Sequence, residues 1–332
     1  MSVLGVVIGK FLPPHRGHSY LIDTATQGCD QLLVIVCSRP DDLIPASNRA
    51  EWLRALHRAA TVVITPDDIP DDGGESTSRA WADRTRALAR QVYGRAPDVV
   101  FSSEEYGPRY ARFLGARHIS VDPARRRYPV SGTAVRADPW GHAEFLAPCV
   151  RAWFVTRVCV LGAESTGTTT LAQDLAEHFG VAWVGEYGRQ YCQVRGGTSD
   201  WRSEEFEHIA TCQIEAEERA AGVGGRLLIC DTDALATSVW HERYLGYRSA
   251  AVEALAASRS YDLYLLTSDD IPFVQDGTRD GEHLRGWMTQ RFREALARRR
   301  EPWLELRGDR ESRLAVAVHH VDVVLKQPGG FR

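Results

Sequence analysis

Two glycine-punctuated loops hold most of the residues able to do chemistry. Residues 9–18 read GKFLPPHRGH, after a short apolar run and before a helical pattern. The spacing puts two imidazole rings, His15 and His18, at the start of a helix with Gly17 between them. Ring N–H groups and free backbone N–H groups placed there can surround one anion, and the arrangement suits a triphosphate. A turn with two surface histidines is the plain alternative. A metal pair is another, although such pairs usually sit on a formed helix with further ligands.

Residues 162–170 read GAESTGTTT, between the apolar VCVL and the amphipathic LAQDLAEHF. Strand, glycine loop and helix in that order frame a phosphate-binding P-loop, whose pattern is G, four residues, G, K, then S or T. Thr168 occupies the lysine slot, and Thr169 still supplies the hydroxyl that binds magnesium. Backbone N–H groups hold phosphate with or without the lysine, so binding and catalysis need not fail together. Losing one comparable donor costs about 100- to 1000-fold in rate. The chain has lysine only at 10 and 326 and uses arginine elsewhere, so drift alone predicts arginine at 168. Three outcomes follow: a working site rescued by an arginine, a slow site, or a nucleotide-binding module. Lys10 lies inside the first glycine motif and is a natural phosphate ligand.

The elements that must position these loops alternate between strand and helix, the order of a parallel sheet covered on both faces. Strands are expected at 5–8, 32–36, 61–64, 99–103 and 118–121, and again at 158–161, 181–184, 226–230, 261–266 and 303–306. Asn48 with Glu51 reads as the capping pair of a helix carrying Leu53, Leu56 and Ala60. A second helix carries Trp81, Leu88 and Val92. PDDIPDDGGEST, residues 66–77, is an exposed loop near the ligand edge of the sheet. WGHAEFLAPCVRAWFVTR reads as a helix and connector, and the domains divide as 1–154 and 155–332. Leu171, Leu175 and Phe179 form one face of the helix after the P-loop.

A chain of 332 residues suits two ordinary domains, and a formal net charge of -4 gives no footprint for nonspecific nucleic-acid binding. Seven cysteines without a CxxC pair fit buried, reduced thiols in a cytoplasmic protein. Neither a run of 18 apolar residues nor a signal-peptide pattern at MSVLGVVIGK appears, so no membrane partner is expected.

GKFLPPHRGH resembles the signature of the nucleotidylyltransferase superfamily, and YPVSGTAVR (128–136) resembles its second motif. Their order at the two ends of one alternating domain matches that superfamily. The resemblance implies adenylyl transfer, in which a nucleotide phosphate attacks the α-phosphorus of ATP and pyrophosphate leaves. Such a reaction needs in-line positioning and neutralised charge rather than a covalent nucleophile. Carried over residue by residue, His15 and His18 hold the phosphates, Lys10 and Arg136 bind the pyrophosphate side, and Ser131 and Thr133 donate hydroxyl bonds. Gly9 and Phe11 complete the ATP site.

EYGR (186–189), DTD (231–233) and DDIPFVQDGTRD (269–280) narrow the resemblance to the NadR family, over nearly the whole chain. That family joins a Rossmann-like nicotinamide mononucleotide adenylyltransferase to a P-loop ribosylnicotinamide kinase, so ATP, nicotinamide mononucleotide, nicotinamide riboside and NAD are the implied ligands, with Mg2+ as cofactor. The resemblance places Gly162, Gly167, Thr168 and Thr169 on ATP and Thr169 with Asp231 on magnesium. It places Glu186, Arg189, Asp231, Asp276 and Arg279 at the riboside and kinase site. Trp81 is either core or the ring against nicotinamide. Asp231 and Asp233 also read as helix caps, and Glu186 with Arg189 as a surface pair. Arg285, Arg291 and Arg293 read as a solvated face. Some members carry an amino-terminal helix-turn-helix; a strand at Gly5 leads to no expectation of one here, nor of repression. Homo-oligomerisation stays open.

Overall fold

Alternation within LGVVIG sends Leu4 and Val6 to one face and Val7 to the other, so strand β1 (Leu4–Gly9) needs cover on both sides. A computed structural model, describing residues 2–70, 74–196, 200–275 and 281–326, supplies that cover. The chain divides between Arg151 and Ala152 into two compact units.

In the first unit β1, β2 (Gln31–Ser38), β3 (Ala60–Pro66), β4 (Val99–Ser102) and β5 (Arg117–Ser120) form a parallel sheet in the order β3-β2-β1-β4-β5. Helices Arg16–Gln27 and Ala46–Leu56 bury Leu21, Ile22, Ala50 and Leu53 against one face. Helices Glu75–Tyr93 and Gly107–Leu114 bury Ala82, Ala89, Tyr110 and Leu114 against the other. The order reverses at β1, and the crevice beyond the carboxyl ends at such a point is where doubly wound sheets bind ligands. GKFLPPHRGH begins there.

The second unit repeats the logic. Strands β6 (Thr156–Gly162), β7 (Trp183–Val184), β8 (Leu227–Asp231), β9 (Leu263–Thr267) and β10 (Trp303–Leu306) are parallel in the order β10-β9-β6-β8-β7. Val158 and Val160 pack on Leu171 and Leu175 of helix Thr168–Phe179 and on Ala317 and Val321 of helix Arg310–Lys326. Phe179 packs at the margin of that core.

All ten expected strands form, with several local differences. Asn48 is no cap: the helix starts at Ala46 after Pro45, and Ala60 belongs to β3. Arg49, in the first turn, bonds the Ile44 carbonyl 2.9 Å away, so a tertiary contact sets that start. β7 is shorter than expected because the Val181 N–H returns to the Ala176 carbonyl at the preceding helix end. WGHAEFLAPCVRAWF folds into short turns, Ala143–Phe145, Pro148–Arg151 and Ala152–Phe154, since Pro148 cannot continue a helix. None of the seven cysteines forms a disulfide, and of them Cys37, Cys159 and Cys230 are buried while the others are half-buried. No helix among the described residues is long and apolar enough to cross a membrane.

Candidate active sites in two nucleotide-binding units

At the carboxyl end of β1 the chain turns through Phe11, buried and left-handed at φ 49°, and enters the helix at Arg16 with His15 as its cap. A cavity of about 680 Å³ opens there. Every residue expected for adenylyl transfer lines it: Gly9, Lys10, Phe11, His15, His18, Trp81, Ser131, Thr133 and Arg136.

The two motifs meet at one atom. Arg136 donates to the Leu12 carbonyl, and a Cβ on Gly132 would stand 2.6 Å from the same oxygen. Only glycine permits that approach without moving backbone. Arg136 also donates to the Thr133 hydroxyl at 3.3 Å. Ser131 caps helix Gly132–Ala137, its Oγ accepting from the Ala134 N–H at 3.1 Å. From the other side Arg49 donates to the Lys10 and Cys37 carbonyls and pairs with Asp42 at 2.5 Å.

The imidazoles stack with centroids 3.7 Å apart. His18 Nδ1 accepts from the His15 backbone N–H at 3.3 Å, which puts the neutral ring's proton on Nε2. His15 Nδ1 is buried without a partner. Burial and then the nearby Arg125 guanidinium push His15 down to about 4. Burial, His15 and Arg125 hold His18 well below the ordinary imidazole range as well. Both rings are therefore neutral at pH 7 before an anion arrives. Lys10 is half exposed, with Nζ 3.5 Å from Asp67, which also pairs with Arg39 at 2.6 Å. Trp81 both packs on the core and lines the cavity.

Arg39, Asp67, Arg109 and Arg125 also line the cavity and were missed from sequence. Arg125 follows β5 at the ligand edge in the left-handed region, φ 49°, and position after a parallel strand was its available signal.

In the second unit Gly162 ends β6 so close to β9 that a Cβ would lie 2.2 Å from the Thr267 hydroxyl. Gly167, at φ 85°, precedes the helix headed by Thr168 and Thr169. The Thr169 hydroxyl donates to Asp231 Oδ2 at 2.6 Å, while Asp231 Oδ1 is buried without a partner. Burial raises the Asp231 carboxyl, against the lowering effects of Thr169, Arg189 and Thr168. Burial and the Asp231 charge raise Glu186 to about 7, opposed by Arg189, whose Nε lies 3.9 Å away. Thus Thr168, Thr169, Glu186, Arg189 and Asp231 share one electrostatic neighbourhood. Asp233 instead caps helix Ala234–Leu245, accepting from the Ala236 N–H at 2.9 Å and from the Tyr264 hydroxyl at 2.9 Å. Asp276 and Arg279 lie outside the described residues.

Both units thus have the strand order, glycine loop and helix entry of nucleotide-binding α/β domains. Residues 6–138 match the cytidylyltransferase-like family, and residues 157–313 match the family described as an AAA domain. The Trifunctional NAD biosynthesis/regulator protein NadR of Escherichia coli (strain K12) is 29% identical over 295 residues, spanning 84% of this chain and 72% of that one. A solved NadR protein in complex with NR superposes with a TM-score of 0.68 at 21% identity, over 99% of this chain and 97% of that one. Another, in complex with NAD and AMP-PNP, superposes at 0.65 and 21% identity, over 98% and 96%. The chain is thus similar to NadR proteins across both units.

Because the folded state holds His15 and His18 neutral while the unfolded chain protonates them below about pH 6.5, their contribution to stability is present above that pH. It is lost as pH falls toward about 4. For His15 the loss is on the order of 3 kcal/mol. Urea denaturation at pH 7 and pH 5 should show this fall, and His15→Gln with His18→Gln should flatten it.

Proposed function

We propose that the first unit transfers AMP from ATP to nicotinamide mononucleotide, giving NAD and pyrophosphate. The convergence of both motif sets on one cavity carries this reading. The mononucleotide phosphate oxygen attacks the α-phosphorus, and the bond to the leaving pyrophosphate breaks. The stacked imidazoles present their donors to the triphosphate, and Lys10 and Arg136 take up charge on the leaving side. Thr133 and Ser131 add hydroxyls next to the Gly132 backbone, and Gly9 and Phe11 shape the floor. Trp81 offers its face to the pyridine ring.

The second unit, in this reading, phosphorylates nicotinamide riboside with ATP. Glu186, raised to about 7, is suited to accept the riboside hydroxyl proton near neutral pH, with Arg189 holding the same substrate. Thr169 and Asp231 are the pair that would hold the magnesium of MgATP; Oδ1 without a partner and a hydroxyl on Oδ2 fit a hard cation. Magnesium supplies charge neutralisation at the transferring phosphate. Asp276 and Arg279 belong to this proposal on resemblance alone. Thr168 offers a neutral hydroxyl where a lysine charge would act, which favours a second reading: a domain that binds nucleotide and turns over slowly or not at all.

Purified protein with magnesium ATP should make NAD from nicotinamide mononucleotide, as followed by chromatography, and no NAD from it sinks the main reading. NAD from the riboside as well requires both units to work. His18→Ala should lower NAD formation from the mononucleotide by about 100-fold or more; unchanged turnover would place the phosphates elsewhere.

Triphosphate binding should raise both imidazole pKa values from their depressed state and draw in protons between pH 6 and 7. Calorimetric titration in buffers of different ionisation enthalpy measures that uptake, and an enthalpy independent of buffer would contradict it.

A further inference from the structure

Among the described residues four arginines are buried: Arg49, Arg157, Arg285 and Arg313. Three have a carboxylate: Arg49 pairs with Asp42 at 2.5 Å, Arg157 with Glu218 at 2.8 Å, and Arg313 with Asp270. Arg285 has none among the described residues. Among the described residues its side chain meets neutral groups: one terminal nitrogen donates to the Ile271 carbonyl at 2.9 Å and the Ser165 carbonyl at 3.4 Å, and the guanidinium lies 5.9 Å from the Phe273 ring centre. Its Nε–H is buried and unmet. Arg157 and Arg313 also leave an Nε–H unmet, but their charge is balanced.

A buried cation without a counter-ion is costly, and its retention points to an anion that completes it. The group it touches says which anion. Ser165 lies in the phosphate loop, three residues before Thr168, and that loop's backbone N–H groups form an anion nest. The neighbouring arginines are already committed. Arg313 spends its terminal nitrogens on the Thr166 and Ser268 carbonyls, at 2.6 and 3.0 Å, and on Asp270; Arg243 sits 3.2 Å from the Glu164 carboxylate.

We propose that Arg285 supplies to the β- and γ-phosphates of a bound nucleoside triphosphate the positive charge that Thr168 does not. The proposal rests on the reading of the second unit as a nucleotide site. It makes Arg285 a triphosphate ligand rather than part of a solvated face, and it selects the arginine-rescued form of the loop.

The test is calorimetric titration of the full chain with a non-hydrolysable ATP analogue plus magnesium, and separately with AMP. Wild type should bind the analogue at two sites. Arg285→Gln should weaken one of them by at least about 30-fold while AMP binding holds, the cost of removing one partner of a buried charge pair. Thr168→Lys in the same chain should recover much of the loss, since a lysine there restores the charge by another route. An arginine that merely braces the Ser165 carbonyl would not be replaced by that lysine. Unchanged analogue binding in Arg285→Gln overturns the proposal, as does an equal loss of AMP or a failure of the lysine to restore binding. Should wild type leave nicotinamide riboside unphosphorylated while Arg285→Gln still loses the analogue site, the kinase reading falls and the phosphate assignment stands.

Discussion

The first site depends on the carbonyl of Leu12. Arg136 donates to it and Gly132 lies against it, so two segments separated by most of a domain are locked at one oxygen. Leu12 belongs to the turn that aims His15 and His18, and Arg49 grips the same turn at Lys10 from the opposite side. The imidazole pair is therefore held by a framework it does not itself build. Side chains placed in this way lose little freedom when a ligand arrives, which is how a site converts packing into orientation.

The two units meet the same electrostatic demand differently. In the first, the stacked imidazoles are kept neutral by burial and by Arg125, within a cavity that also holds Asp67 and its basic partners. In the second, the acids are crowded: Asp231 raises Glu186, and Arg189 moderates both. Burial and that crowding bring the Glu186 carboxyl to about 7. Arginine supplies the fixed charge, and no imidazole faces Asp231 or Glu186 among their principal electrostatic neighbours.

Much of this was legible in the sequence, for reasons that also explain what was not. Apolar runs of about five residues between turn formers must be buried strands, so β1 to β10 could be read from composition and spacing alone. Glycine loops directly after such strands declare themselves, because a backbone that must approach a phosphate or a neighbouring strand tolerates no side chain; Gly162 against Thr267 is the direct case. Cap and helix-start readings were less secure. Asn48 carries a good capping chemistry but lost to the contacts of Arg49, a tertiary effect no local pattern contains. The burial of Arg285 was hidden for the same reason. It lies far along the chain from Ser165 and, with Arg291 and Arg293, reads as part of a solvated face, whereas Arg125 had its place after β5 as a signal.

That arginine bias has a physical consequence for the P-loop. A lysine ammonium in a poorly solvated place loses its proton readily, whereas a guanidinium stays charged under almost any burial. A chain that relies on arginine can therefore carry the cation proposed for the phosphates deep in the structure, at 8% exposure for Arg285. The position it occupies differs from that of a P-loop lysine. It comes from the start of helix Arg285–Ala297 and reaches the loop at the Ser165 carbonyl rather than rising from the loop's own helix. Charge delivered from a separate element depends on how that element is seated against the loop. With lysine at 168, charge and loop would move as one body; with Thr168 and Arg285, they are two parts held together by the carbonyls of Ser165 and Ile271.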